Sequence, residues 1–129
     1  MFTIEQIKAA HSKVKSGADF PKYVQDLIGL GVLSYDVFVS DGHAEYHGND
    51  GYEIKSQAKY ADQNVVAEDD SVKFRHYLKI HQQGETDYFT FCKHAAETGV
   101  HKWTVDHQKM TCTYFNSTGN EMLVEKIPG

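Results

Sequence analysis

Shifted against itself by 68 positions without a gap, the chain aligns the residues that punctuate its structure. Asp19 meets Asp87, Gly31 meets Gly99, Val32 meets Val100, Val37 meets Val105, Tyr46 meets Tyr114, Gly51 meets Gly119 and Glu53 meets Glu121. Near matches are Phe20 with Tyr88, Tyr23 with Phe91, Tyr35 with Trp103 and Ala44 with Cys112. Most other aligned positions differ, as two similar supersecondary units matching by chance would also show. A single offset that aligns helix starts, helix stops and strand faces together favours duplication. The chain is therefore read as a single domain over residues 1–129, with pseudo-repeat halves at about 1–61 and 70–129.

Each half reads helix, helix and then strands. Thr3 and Gln6 have the spacing of a capping box, and Ile4, Ile7, Ala10 and Val14 recur on one side of a helix from Ile4 to Lys15. Ser16 and Gly17 should break it. Asp19 is the expected N-cap of a second helix, with Pro21 in its tolerant first turn and a glycine stop at Gly29 or Gly31. From Val32 to Ser40 the period changes to alternation, placing Leu33, Tyr35, Val37 and Val39 on one face. Asp41-Gly42 predicts a two-residue hairpin turn, His43 to His47 a returning strand, and Tyr52 to Ile54 a short third strand. Lys55 to Asp70 reads as a polar connection with a short helix in it. A second helix pair follows at Ser71 to Gln83 and from the Asp87 cap to Gly99. Strands at about Val100 to Asp106, Lys109 to Phe115 and Glu121 to Ile127 complete the chain, with Asn116 to Asn120 as the last turn. The fold class is α+β: an internally duplicated helix-helix-strand-strand-strand unit, its antiparallel strands packed against helices.

With 129 residues the chain can bury about two thirds of the surface its unfolded form exposes, so a shared core is expected. Net charge is −5, and the 13 lysines and arginines are scattered, which argues against a nucleic-acid-binding face. No apolar run approaches the ~18 residues of a membrane span, and Met1 to Lys15 lacks the apolar core and cleavage site of a secretion signal. A cytoplasmic location without membrane partners is the expectation. Cys92 and Cys112 form neither a disulfide framework nor a CxxC pair and are expected as small buried hydrophobes.

His43, Glu45 and His47 share one strand face at two-residue spacing, a set that could meet a divalent metal. Any exposed strand face makes the same pattern, and the 68-shifted positions Thr111, Thr113 and Phe115 do not repeat the ligands, so no metal is expected. His43-Ala44-Glu45 has no Pro-Cys-x-x-Cys partner and is not a zinc deaminase motif. There is no Gly-x-Ser-x-Gly elbow or phosphate-cradling glycine loop, hence no catalytic residue or cofactor to assign. The informative set is aromatic. Tyr35, Tyr46, Trp103 and Tyr114 are inward by parity, and His101 shares the inward side with Trp103 and Val105. As core they would fill the space between sheet and helices; as a pocket they would offer apolar walls with polar handles. These five are the candidate binding residues.

Gly31-Val32 through Tyr35, Val37, Asp41-Gly42-His43, Tyr46 and Gly48 to Gly51 resemble the YdfO-like and YbcV-like family of small bacterial and prophage-encoded proteins. Some members of that family carry the label phage envelope protein. The resemblance covers essentially the whole chain. It implies an α+β domain of bacterial or prophage origin and brings no catalytic residues. Three functions compete: a non-enzymatic module binding a small ligand or protein partner in the groove between the halves, an enzyme using a histidine such as His101 there, and a phage structural protein. The oligomeric state is left open.

Overall fold

Four amphipathic helices and six strands follow the order α1 (Ile4–His11), α2 (Phe20–Leu30), β1 (Ser34–Phe38), β2 (Ala44–His47), β3 (Glu53–Lys55), α3 (Ser71–Gln82), α4 (Tyr88–Glu97), β4 (Lys102–Asp106), β5 (Thr111–Phe115) and β6 (Glu121–Lys126), in a computed structural model that describes residues 2–15 and 19–127. The chain is α+β, as its periodicity predicts. Among the described residues no helix is long and apolar enough to cross a membrane.

Local chemistry starts each helix. The Thr3 hydroxyl accepts from the Gln6 amide while the Gln6 side chain accepts from the Thr3 amide, completing the capping box at α1. Asp70 and Asp87 cap α3 and α4 by accepting from the Lys73 and Thr90 amides at 3.0 and 2.7 Å. Asp19 precedes α2, but its carboxylate accepts from the Lys15 amide and not from α2 itself. α1 ends at His11, four residues before the expected Lys15. There the Ser12 hydroxyl donates to the Ala9 carbonyl and the next two amides make tighter i→i−3 bonds. The break expected at Ser16 and Gly17 lies outside the described residues.

All six strands form one antiparallel sheet in the order β3-β2-β1-β4-β5-β6. Its central pairing, β1 on β4, sets Tyr35 against Val105, Asp36 against Thr104 and Val37 against Trp103. Shifting each β1 residue forward by 68 and each β4 residue back by 68 returns the same set of pairs, with Asp36 and Thr104 exchanging places. The hairpins follow: Tyr35 opposes Tyr46 as Trp103 opposes Tyr114, and Val37 opposes Ala44 as Val105 opposes Cys112. Only the β5–β6 pairing departs, slipping by one residue at an irregularity between Tyr114 and Phe115.

The expected two-residue turn at Asp41-Gly42 is instead a four-residue loop. Phe38 and His43 close the ladder, and the Gly42 amide donates to the Phe38 carbonyl at 2.8 Å. Only Gly42 has positive φ, whereas a type I′ turn needs it at both central residues. Two and four are both even, so the faces keep the expected parity. Residues 56–70 contain no helix, contrary to expectation. Segment 59–63 instead folds back over that loop, with Lys59 and Gln63 amides donating to Asp41 and Ser40 carbonyls and the Tyr60 hydroxyl to the Val39 carbonyl at 2.6 Å. Gly42 permits the approach, because a Cβ there would lie 2.6 Å from the Tyr60 ring.

The helices bury Ile7, Ala10, Tyr23, Val24, Leu27, Phe74, Leu78, Phe91, Cys92 and Ala95 in one core with Tyr35, Val37, Ala44, Tyr46, Trp103, Val105, Cys112 and Tyr114 from the sheet. Leu33, expected inward, is only half-buried, just before β1 starts. Both cysteines are buried and unpaired. Phe74 is fully buried, 4.8 Å from the Tyr114 ring and 5.9 Å from Phe91. Truncating it leaves a void that these rigid rings cannot close. Phe74→Ala should therefore cost about 3–5 kcal/mol in urea unfolding monitored by circular dichroism, against about 1 kcal/mol for removing the Thr3 cap with Thr3→Ala.

Candidate functional site

The four aromatic candidates stand on four neighbouring strands under the helices, a row whose rings meet as two pairs. Tyr35 lies 5.4 Å from Tyr46, and Trp103 6.1 Å from Tyr114. From above, Tyr23 meets Tyr35 at 6.4 Å, Phe91 and Tyr88 meet Trp103 at 5.6 and 6.4 Å, and Phe74 meets Tyr114. All four rings are between 4% and 7% exposed. Over Trp103 and Tyr114 the space is occupied by side chains.

His101 is placed elsewhere. It sits half-buried just before β4, with its ring edge-on to Phe38 at 6.2 Å. The histidine beside the row is His107, which sequence reading did not single out. It is buried, with Nδ1 2.7 Å from the Val32 carbonyl oxygen and its ring 5.7 Å from Tyr35. Burial holds its pKa below the ordinary value, so it is a neutral donor that ties β4's end to the segment before β1. Its parity signal matches that of His101, since positions 101, 103, 105 and 107 alternate together. What parity cannot show is which end of the strand the helices cover.

The row opens at Tyr46. A cleft of about 370 Å³ lies between α1 and segment 56–59, with Tyr46 among its lining residues. α1 contributes Ile4, Ile7, Lys8, His11 and Ser12, the i, i+3, i+4, i+7, i+8 face of one helix. At the positions related by 68, α3 carries Phe74 where α1 carries Gln6. Phe74 covers Tyr114, whereas Gln6 is exposed and engaged in the capping box, so α1 lays no aromatic ring on Tyr46.

Two lysines face this cleft. Among the described residues neither Lys8 nor Lys59 has a carboxylate within ion-pair distance, unlike Lys55 and Lys102 on the sheet. Although Lys59 as a residue is exposed, its ammonium lies 5.2 Å from the centroid of the Tyr88 ring. Desolvation of that head group holds its pKa below the ordinary lysine value, opposed by the Cys92 thiol and reinforced to a smaller extent by the Lys8 charge. His11 packs edge-on to Tyr23 at 5.3 Å and Tyr88 at 6.2 Å, and burial first, then the Lys59 charge, depress its pKa too. The Tyr23 and Tyr46 phenols are pushed up by burial, so they remain neutral hydroxyls. The site thus presents apolar walls, neutral polar groups and excess positive charge. Lys8, His11 and Lys59 carried no readable signal: the first two look like surface positions of a short helix, and Lys59 sits in an aperiodic connection.

His43, just before β2, and His47 at its end form a separate constellation on the open face of the sheet. His43 lies between Asp41 at 2.6 Å and Glu45 at 3.2 Å, and His47 between Asp36 at 3.0 Å and Glu53 at 3.5 Å. Among the described residues no group of three or more His, Cys, Asp or Glu side chains is placed to hold a metal ion. Each histidine is already held by carboxylates, an arrangement that makes them charge-stabilising surface pairs.

The family model described as "Protein of unknown function (DUF1398)" matches residues 8–126. No curated protein matches the chain.

The His43 pair carries a pH signature. Partial burial opposes protonation of His43, but hydrogen bonds to Asp41 and Glu45 and their charges outweigh it and raise the pKa above 6.5. A raised folded-state value means that His43 contributes stability in full below pH 6.5, and that this is lost as pH rises through the folded pKa. The difference in melting temperature between the natural protein and His43→Gln should therefore be largest near pH 5.5 and shrink toward pH 8, with the His43 imidazole titrating above 6.5 by NMR.

Proposed function

We propose that this chain, which belongs to the DUF1398 family, is a non-enzymatic binding module that takes a small organic carboxylate in the cleft between α1 and segment 56–59. The observation that carries the reading is the pair of lysines, Lys8 and Lys59, that have no carboxylate partner among the described residues, at a cleft walled by Ile4, Ile7 and Tyr46. Two like charges beside one apolar concavity repel each other until an anion enters, and the aliphatic and phenol walls favour an anion with an apolar body. A volume of about 370 Å³ falls at the small end of ligand sites, which suits a molecule the size of benzoate.

This reading keeps Tyr46 from the aromatic candidates as a lining residue. Tyr35 serves it indirectly, as the ring against which Tyr46 packs, and Trp103 and Tyr114 belong to the core of the other half. Internal duplication of a single domain, with one half keeping an open site and the other filled, belongs to the same proposal. So do a bacterial or prophage origin through the YdfO-like resemblance and a cytoplasmic location. The symmetric strand registers support the duplication.

Titrating benzoate into the ¹⁵N-labelled protein should give saturable shifts confined to α1, Tyr46 and residues 56–59. Lys8→Glu should weaken binding by about tenfold or more, with little change in melting temperature because Lys8 is exposed. Ala58→Trp, at an exposed lining position, should block entry. Shifts that spread over the open sheet face, or that survive both substitutions, would overturn the proposal.

A further inference from the structure

We infer that Lys59 is a nucleophilic lysine that captures the ketone carbon of a small 2-oxo acid as a reversible imine while the Lys8 ammonium holds its carboxylate. The inference rests on the reading of the cleft as a carboxylate site and names the class of carboxylate.

The geometry distinguishes Lys59 from Lys8, which lines the same cleft. The Lys59 Nζ and the His11 ring converge on one aromatic ring, Tyr88, at 5.2 and 6.2 Å from its centroid. The amine that must attack and an imidazole able to move its proton therefore pack against the same ring and both line the cleft, and the Lys59 charge acts on His11. Position and direction of Lys59 are fixed by its surroundings. Its amide donates to the Asp41 carbonyl at 2.8 Å, and the following Tyr60 is anchored through its hydroxyl to Val39. Its Cβ sits near Gly42, where an added Cβ would lie 3.2 Å away. A lysine held so, its head group partly desolvated, with no carboxylate partner among the described residues and a second ammonium in the same cleft, is in the setting that frees an amine for imine chemistry. Its lowered pKa agrees with that setting.

The step balances without an oxidant or reductant. The neutral Lys59 amine attacks the ketone carbon, a C–N bond forms, and the carbonyl π pair moves onto oxygen. Neutral His11 takes a proton from the nitrogen and returns it to that oxygen, giving a carbinolamine. The nitrogen lone pair then expels the oxygen, which leaves as water after a second proton transfer, and a C=N bond remains. Water reverses the sequence. One amine and one ketone give one imine and one water. The Lys8 charge binds the carboxylate that distinguishes a 2-oxo acid from a simple ketone.

Pyruvate with sodium cyanoborohydride tests this on the intact protein, since reduction of the imine leaves a 1-carboxyethyl group detectable by peptide mass mapping. The expected result is labelling of Lys59 several times faster than of Lys13 or Lys109, two lysines outside the cleft. Benzoate should slow the Lys59 reaction, and acetone, which lacks the carboxylate, should label it poorly. Lys59→Arg keeps the charge, so pyruvate should still shift the α1 amides while trapping at the cleft disappears. If pyruvate shifts the cleft residues but labels all lysines equally, the imine is overturned and the carboxylate site stands. With neither shifts nor preferential labelling from pyruvate, and none from benzoate, both readings fall. If pyruvate labels Lys59 preferentially even when Lys8→Glu removes the second charge, the assigned role of Lys8 is overturned.

Discussion

The antiparallel pairing of β1 with β4 is the constraint on which the rest of this structure depends. Among the described residues it is the one strand pairing between the two halves, and it carries Tyr35, Val37, Trp103 and Val105 onto the same buried face. A slip of one residue in β1 would turn Tyr35 and Val37 toward water and bring Asp36 under the helices beside Trp103 and Val105. The Thr104 hydroxyl donates to the Asp36 carboxylate on the open side, so polar chemistry on one face and burial on the other enforce the same register. Once that pairing is set, each hairpin extends the sheet outward. The two helix pairs then have one continuous apolar floor to cover. Neither half alone presents a floor wide enough to bury its own helices well, which is why a joint core is the stable outcome.

Much of this architecture was legible because its signals are local. Alternation from Tyr35 to Val39 and from Trp103 to Val105 marks faces without any knowledge of partners, and Thr3, Asp87, Gly31 and Gly99 mark helix ends by their backbone chemistry. The misses share a different cause. The loop at Asp41-Gly42 looks like a tight turn until Tyr60, eighteen residues downstream of Gly42, is known to pack on it. α1 is shortened by a serine hydroxyl competing for a carbonyl, a choice that periodicity does not record. His101 and His107 have identical parity, and only the placement of α2 and α4 decides which one is buried beside Tyr35. In each case the deciding contact is long-range or depends on which end of an element is covered.

The open sheet face and the cleft handle charge in opposite ways. On the sheet, His43, His47, Lys55 and Lys102 all have carboxylates within ion-pair reach, so each basic side chain of that surface is already engaged. At the cleft, Lys8 and Lys59 have no such partner among the described residues, although the chain carries a net charge of −5 and has 18 acidic residues. An unbalanced pair of cations in an acidic protein has a positive potential against the surrounding field, and that contrast concentrates small anions where the net charge would otherwise repel them.

The difference between the halves locates the site as much as their likeness explains the fold. The position related to Lys59 by a shift of 68 is Ile127, which is buried; that related to Lys8 is His76; that related to Gln6 is Phe74. Thus the second half closes over Tyr114 with apolar side chains, while the first half leaves Tyr46 beside lysines and a histidine. The filled half contributes rigidity, because Phe74, Tyr114, Phe91 and Trp103 are in mutual ring contact. The open half keeps a cleft beside Tyr46, whose ring is held by Tyr35, itself covered by Tyr23. A site built this way places its reactive groups, Lys8, His11 and Lys59, on a short capped helix and a pinned connection, and leaves the central strands to the core.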